Sequence, residues 1–133
     1  MRRTEAERVS GSDEDVLRFI AASFPSVWAL ELLLALKSDP RLWTSDELLA
    51  SLRASELVVS KAVDALVAAG LASIEGAGAR YRPVNREAES WVDRTEQLYR
   101  KRPNKVRRAI VSASTSSAAA FADAFKLRRD TDD

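Results

Sequence analysis

Apolar residues recur at the three- and four-residue steps of a helix through most of this chain, and the step shortens to that of extended strands over one region only. Ser12, followed by Asp13, Glu14 and Asp15, predicts a capped start for a first helix reaching about Ser23. Phe24-Pro25 breaks it, and Ser26 caps a second helix, Val27 to Lys37. There Trp28, Leu30, Leu32, Leu33, Leu34 and Leu36 leave almost no polar face. Such a helix is predicted to be buried on most sides, at the centre of a core or partly beneath a second subunit.

Ser38-Asp39-Pro40 predicts a turn, and Thr44 with Glu47 three residues later is a capping-box pattern opening a short helix to about Leu52. Its apolar side carries Leu48, Leu49 and Leu52. After a tight joint at Arg53-Ala54, Ser55 caps a fourth helix with Val59, Ala62, Val63 and Leu66 on one side, and Gly70 is its C-terminal stop. Leu71 to Glu75 and Ala79 to Pro83 then read as two short strands around the turn Gly76-Ala77-Gly78. Three helices, a short joint, a fourth helix, a glycine and a hairpin make a winged helix-turn-helix plan, mostly α with a small β-hairpin.

The stretch from Thr44 to Pro83 resembles the DNA-binding segment of MarR-type and related winged-helix bacterial transcription regulators. The helix pair Thr44–Leu52 and Ser55–Ala69, the phrase Ala68-Ala69-Gly70-Leu71 and the following hairpin carry the likeness. The resemblance implies the winged-helix fold, and for function a transcription regulator; the same fold also serves as a protein-binding module. It implies in addition a homodimer built from helices flanking the wing.

Beyond the hairpin, Asn85 predicts a cap for a helix running to about Arg102, with Trp91, Thr95, Leu98 and Tyr99 along one side. These residues either fold back on the first helix or pack against a twofold partner. Pro103 ends that helix or begins the next, Val106, Ala109, Ile110 and Ala113 form another stripe, Ser112 to Ser117 interrupts, and Ala118, Phe121, Ala122 and Phe125 form a last one. The expected organisation is a flexible arm over 1–11, a winged helix-turn-helix domain over 12–84, a C-terminal helical extension for dimerisation over 85–128, and a frayed tail over 129–133.

Composition narrows the chemistry. The 133 residues include no cysteine and no histidine, which removes disulfides, thiolate or imidazole metal sites and histidine-based catalysis. Carboxylate pairs such as Asp13 with Glu14 and Glu87 with Glu89 open helices, where solvated surface is their ordinary role. Gly76-Ala77-Gly78 lacks the lysine and flanking elements of a phosphate loop. The expectation is therefore a protein that is not an enzyme and needs no cofactor or metal. The apolar run Phe19 to Leu36 contains Pro25 and Glu31, against a membrane span. Acidic residues follow Arg2 and Arg3 where a leader peptide needs apolar ones, so a cytoplasmic protein is expected.

Charge locates the candidate contacts. Residues 1–75 hold 8 basic and 12 acidic side chains, whereas residues 76–133 hold 13 and 8, so an overall +1 conceals halves of −4 and +5. On the fourth helix, the recognition helix of the plan, Glu56, Leu57, Val58, Ser60, Lys61 and Asp64 are expected to face out. Ser55, Glu56, Ser60 and Lys61 are the candidates for duplex DNA contact there, although one cation between two carboxylates makes a poor base-reading surface. Arg80 and Arg82, flanking Tyr81, place two guanidinium groups on one strand face, suited to phosphate. Arg100, Lys101, Arg102, Lys105, Arg107 and Arg108 put six cations into nine residues, and such a run attracts polyanions. The alternatives are solvated surface, with those cations paired to Glu87, Glu89, Asp93 and Glu96, and a protein adaptor that uses Leu57 and Val58 as its contact patch.

Overall fold

The computed structural model describes residues 12–114; the expected arm over 1–11, the last stripe from Ala118 to Phe125 and the tail over 129–133 lie outside that range. In chain order the elements are α1 (Ser12–Ser23), α2 (Val27–Ser38), β1 (Trp43–Thr44), α3 (Ser45–Leu52), α4 (Glu56–Ala68), β2 (Ala72–Glu75), β3 (Gly78–Tyr81) and α5 (Arg86–Lys101). A further helix, α6, occupies residues 103–114. The described chain is mostly helical, with one three-stranded antiparallel sheet in the order β1-β3-β2.

Four helix starts rest on the expected side chains, whereas Ser12, expected to cap the first helix, is instead its first residue. Ser26, Ser55 and Asn85 accept hydrogen bonds from the backbone N–H of Ala29, Val58 and Ala88. Thr44 and Glu47 complete the capping box in both directions: the Glu47 N–H donates to Thr44 Oγ1 at 3.2 Å, and the Thr44 N–H donates to Glu47 Oε1 at 2.9 Å. At the end of α4, Gly70 takes φ +75° and its N–H donates to the Val67 carbonyl. The Leu71 N–H donates to the Leu66 carbonyl. This pair of bonds is the Schellman arrangement, and Leu66 meets Leu71 in the core as the motif requires.

Two corrections concern the sheet. The turn holds two residues rather than three, because Glu75 pairs with Gly78 and leaves Gly76-Ala77 between them, with Gly76 at φ +62°. The hairpin also gains a third strand, β1, pairing Trp43 with Ala79 and Thr44 with Gly78. A Cβ on Gly78 would lie 2.5 Å from the Trp43 carbonyl oxygen, so the strand approach depends on that glycine.

α2 is the central helix: Ala29, Leu30, Leu32, Leu33 and Leu36 are each fully buried. Trp28, expected among them, is instead 42% exposed, since helical steps of three and four place it on the side of Glu31 and Ala35, which are only half-buried. α1 and α5 cover one flank, with Phe19 stacked on Trp91 at 5.6 Å. Val92, Thr95 and Leu98 are buried, and Trp91 and Tyr99 are half-buried. Of the two readings of this stripe, folding back within the chain is therefore the observed one; Val92 belongs to it as well. The interruption expected from Ser112 does not appear before Ser114, as α6 continues through that residue. Among the described residues, no single helix is long and apolar enough to cross a membrane, and the apolar run divides into α1 and α2, bent by 103°.

Candidate functional site

Three surfaces carry the residues singled out from the sequence. The first is the outward side of α4. Ser55 is occupied as the helix cap, while Glu56, Leu57, Ser60, Lys61 and Asp64 are exposed, Leu57 at 63%. Val58 is half-buried rather than facing out, because one helical step puts it in line with the buried Ala62. A groove of about 310 Å³ separates α4 from the hairpin. Leu49, Val63, Ile74 and Ala79 supply its apolar floor, and Glu56 and Asp64 are the charged residues of its lining. Ser45 donates from Oγ to the Ala77 carbonyl at 3.1 Å, tying the hairpin turn to the start of α3 and holding the groove's shape.

The second surface is the outer face of the sheet, where Ser73, Glu75, Arg80 and Arg82 lie on one side. Both guanidinium groups share one carboxylate: Arg80 lies 3.5 Å and Arg82 4.0 Å from Glu75. Ser73 also donates to Glu75 at 3.1 Å. The sequence pattern did not single out Glu75, although its alternation with Ser73 along one strand places it diagonally across from Arg80. The pairing is solvent-exposed and weak, so Arg82, 70% exposed, keeps most of its capacity to meet an anion.

The third surface is the joint between α5 and α6. Arg100, Lys101, Arg102, Lys105, Arg107 and Arg108 are all exposed. Arg100 reaches Glu96 at 3.3 Å, and Arg107 lies over the Tyr99 ring at 5.4 Å. Among the described residues, no ion pair involves Lys101, Arg102, Lys105, Arg107 or Arg108. Of the four acids expected to neutralise the run, only Glu96 reaches it, through Arg100, and both Glu96 and Asp93 are drawn to another helix. Lys37 of α2 binds Glu96 at 2.8 Å and Asp93 at 3.3 Å, and these carboxylates raise its pKa against the opposing effect of burial.

These bonds also set the relative positions of the three surfaces. Lys37 meets Asp93 and Glu96, while Glu31 accepts from the Tyr99 hydroxyl, so α5 runs antiparallel to α2. The basic run therefore lies toward the N-terminal end of α2, and the hairpin turn and start of α4 lie toward its other end. Twelve helical residues separate them by roughly 18 Å. Tyr81 packs against the same core; its hydroxyl is buried with no hydrogen-bond partner among the described residues, and burial, then Asp93, pushes its pKa up to about 12.

The sequence matches no family model, and no curated protein or solved structure is significantly similar to it.

Among the described residues no group of three or more metal-ligating side chains comes together. What the arrangement offers is charge and apolar surface. An anionic polymer is attracted at the α5–α6 joint and at Arg82, and an apolar or cationic segment at the groove beside α4.

Proposed function

We propose that this chain is a winged helix-turn-helix DNA-binding regulator of the kind the MarR-type proteins exemplify, in which phosphate contacts rather than base contacts supply the affinity. The element order, the α3–α4 pair and the sheet order β1-β3-β2 support that fold reading. The observation that carries the function is the exposed cation run from Arg100 to Arg108, with Arg100 its one member held by a carboxylate among the described residues. A duplex offers a phosphate about every 3.4 Å along each strand, so one site of ordinary length spans both the run and the hairpin arginines. α4 contributes position and little sequence reading, because Glu56 and Asp64 meet the duplex beside a single lysine.

Fluorescence anisotropy with mixed-sequence duplexes at several salt concentrations tests the reading. Affinity falls steeply with salt, and Lys101→Glu with Lys105→Glu flattens the slope by about 0.9 for each phosphate that is no longer neutralised. Absence of binding at low salt refutes it. The homodimer expected of such regulators has to use surfaces other than the α5 stripe, whose Trp91, Val92 and Leu98 are spent within the chain. Sedimentation equilibrium decides whether it forms.

A second reading, a winged-helix adaptor for a protein partner, is favoured by one observation, the exposure of Leu57 on the outward side of α4. Capture from a nuclease-treated lysate, compared with Leu57→Asp, tests it. Partners that persist unchanged with the variant exclude this patch.

A further inference from the structure

The groove between α4 and the hairpin combines features that a DNA site does not call for. Its floor is apolar, Ile74 at its edge is 51% exposed, and its charged lining residues are the carboxylates Glu56 and Asp64. A phosphate chain entering it meets two like charges, whereas a segment alternating apolar and cationic side chains satisfies floor and rim together. This chain contains such a segment outside the described residues: Phe125-Lys126-Leu127-Arg128-Arg129, with Phe121 one helical step earlier.

The path to the groove is short. Ser114, the last described residue, lines a second groove with Ala65 and Ala68 of α4, so the chain leaves the described region beside the C-terminal half of that helix. From Ala68 back to Ser60 is roughly 12 Å along the axis, and because the two grooves are centred on different sides of α4 a docked segment also passes round the helix. The eleven residues from Ser114 to Phe125 cover at least about 16 Å if helical and about 36 Å if extended. Val67, on α4 between Ser60 and Ala68, is 38% exposed. A tether of this length holds the segment at an effective concentration on the order of millimolar, so a weak intrinsic affinity suffices to fill the groove.

We infer that residues Phe121 to Arg129 dock within their own chain onto the groove between α4 and the hairpin, their cations against Glu56 and Asp64. Docking there covers the outward side of α4. The docking does not depend on the DNA reading; only its consequence, competition between the segment and a duplex for α4, rests on that reading.

The chain has no cysteine, which permits a direct test in the full-length protein. Ser60→Cys with Leu127→Cys, under mild oxidation, is expected to form an intramolecular disulfide about tenfold faster than the control pair Arg18→Cys with Leu127→Cys, reflecting the raised local concentration. Glu56→Lys with Asp64→Lys slows it several-fold, most at low salt. A nitroxide on Leu127→Cys alone broadens the amide resonances of Leu57 to Asp64, a readout that leaves α4 unsubstituted. Disulfides between chains overturn the proposal in favour of a second copy. A rate equal to the control's, one unmoved by the charge reversal, or unbroadened α4 resonances overturns the groove as the seat. None of these readouts involves DNA, so failure here is distinguishable from failure of the salt-dependence experiment.

Discussion

Glu47 shows how much one side chain can be asked to do. It accepts from the Thr44 N–H, closes the capping box and binds Arg41, which in turn lies over the Trp43 ring at 4.3 Å and reaches Asp39 at 2.8 Å. The Arg41 guanidinium first, and the Thr44 backbone second, hold the Glu47 carboxyl at about 2, below its ordinary 4.5. A carboxyl depressed in the folded state contributes stability above its unfolded value and loses it as pH falls through the folded one. Thermal midpoints of the native protein should therefore drop between about pH 5 and pH 2 more than those of Glu47→Gln. Equal pH profiles would show that the network is open in solution. Backbone demands are as local. Gly78→Ala forces a Cβ against the Trp43 carbonyl and should cost about 1–3 kcal/mol by denaturant unfolding, with loss of the β1 pairing. Arg53, by contrast, holds a left-handed φ of 53° at the α3–α4 joint, so Arg53→Gly should be neutral or stabilise by up to about 1 kcal/mol.

Among the elements, α5 is one whose role a linear reading left open. Its stripe could serve a partner or its own chain, since both require the same spacing of Trp91, Leu98 and Tyr99. The choice follows from long-range contacts: Phe19 stacks on Trp91, Lys37 takes Asp93 and Glu96, and Glu31 takes Tyr99. A double-mutant cycle between Phe19→Leu and Trp91→Leu should return a coupling of about 1 kcal/mol. Strict additivity would mean that α5 leaves α1 in solution. β1 was missed for a related reason. Two residues carry no periodicity, and Trp43-Thr44 becomes a strand only because the hairpin lies beside it.

At the scale of the molecule, the described parts of the −4 and +5 halves do not become two clean faces. The acidic side chains Asp93 and Glu96 belong to the basic half yet are drawn to Lys37, which leaves the α5–α6 joint more strongly positive than a count along α5 implies. On the sheet the reverse happens, as Glu75 from the acidic half settles between Arg80 and Arg82. Charge reversal at Lys101 and Lys105 should accordingly weaken duplex binding more than Arg80→Ala with Arg82→Ala, measured by anisotropy at one low salt concentration. The opposite ranking would put the hairpin, not the joint, at the centre of the interface.

Four helix starts, the glycine stop at Gly70 and the existence of a hairpin, though not the length of its turn, were legible from the chain because each depends on a handful of neighbouring atoms: a hydroxyl or amide over the first N–H groups, a left-handed φ, a glycine in a tight turn. The inward sides of α2 and α4 were legible for the same reason, since helical spacing alone aligns Leu30, Leu33, Val59 and Leu66. Which cations remain available, which carboxylates shield them and which apolar side chains stay uncovered are different in kind. Glu75 meeting Arg80, Lys37 meeting Glu96, and Leu57 remaining exposed while Val58 is half-buried all depend on elements brought together from elsewhere in the chain. Electrostatic pairing and burial are set by distances through space, and spacing along the chain carries no record of those distances once the chain has turned.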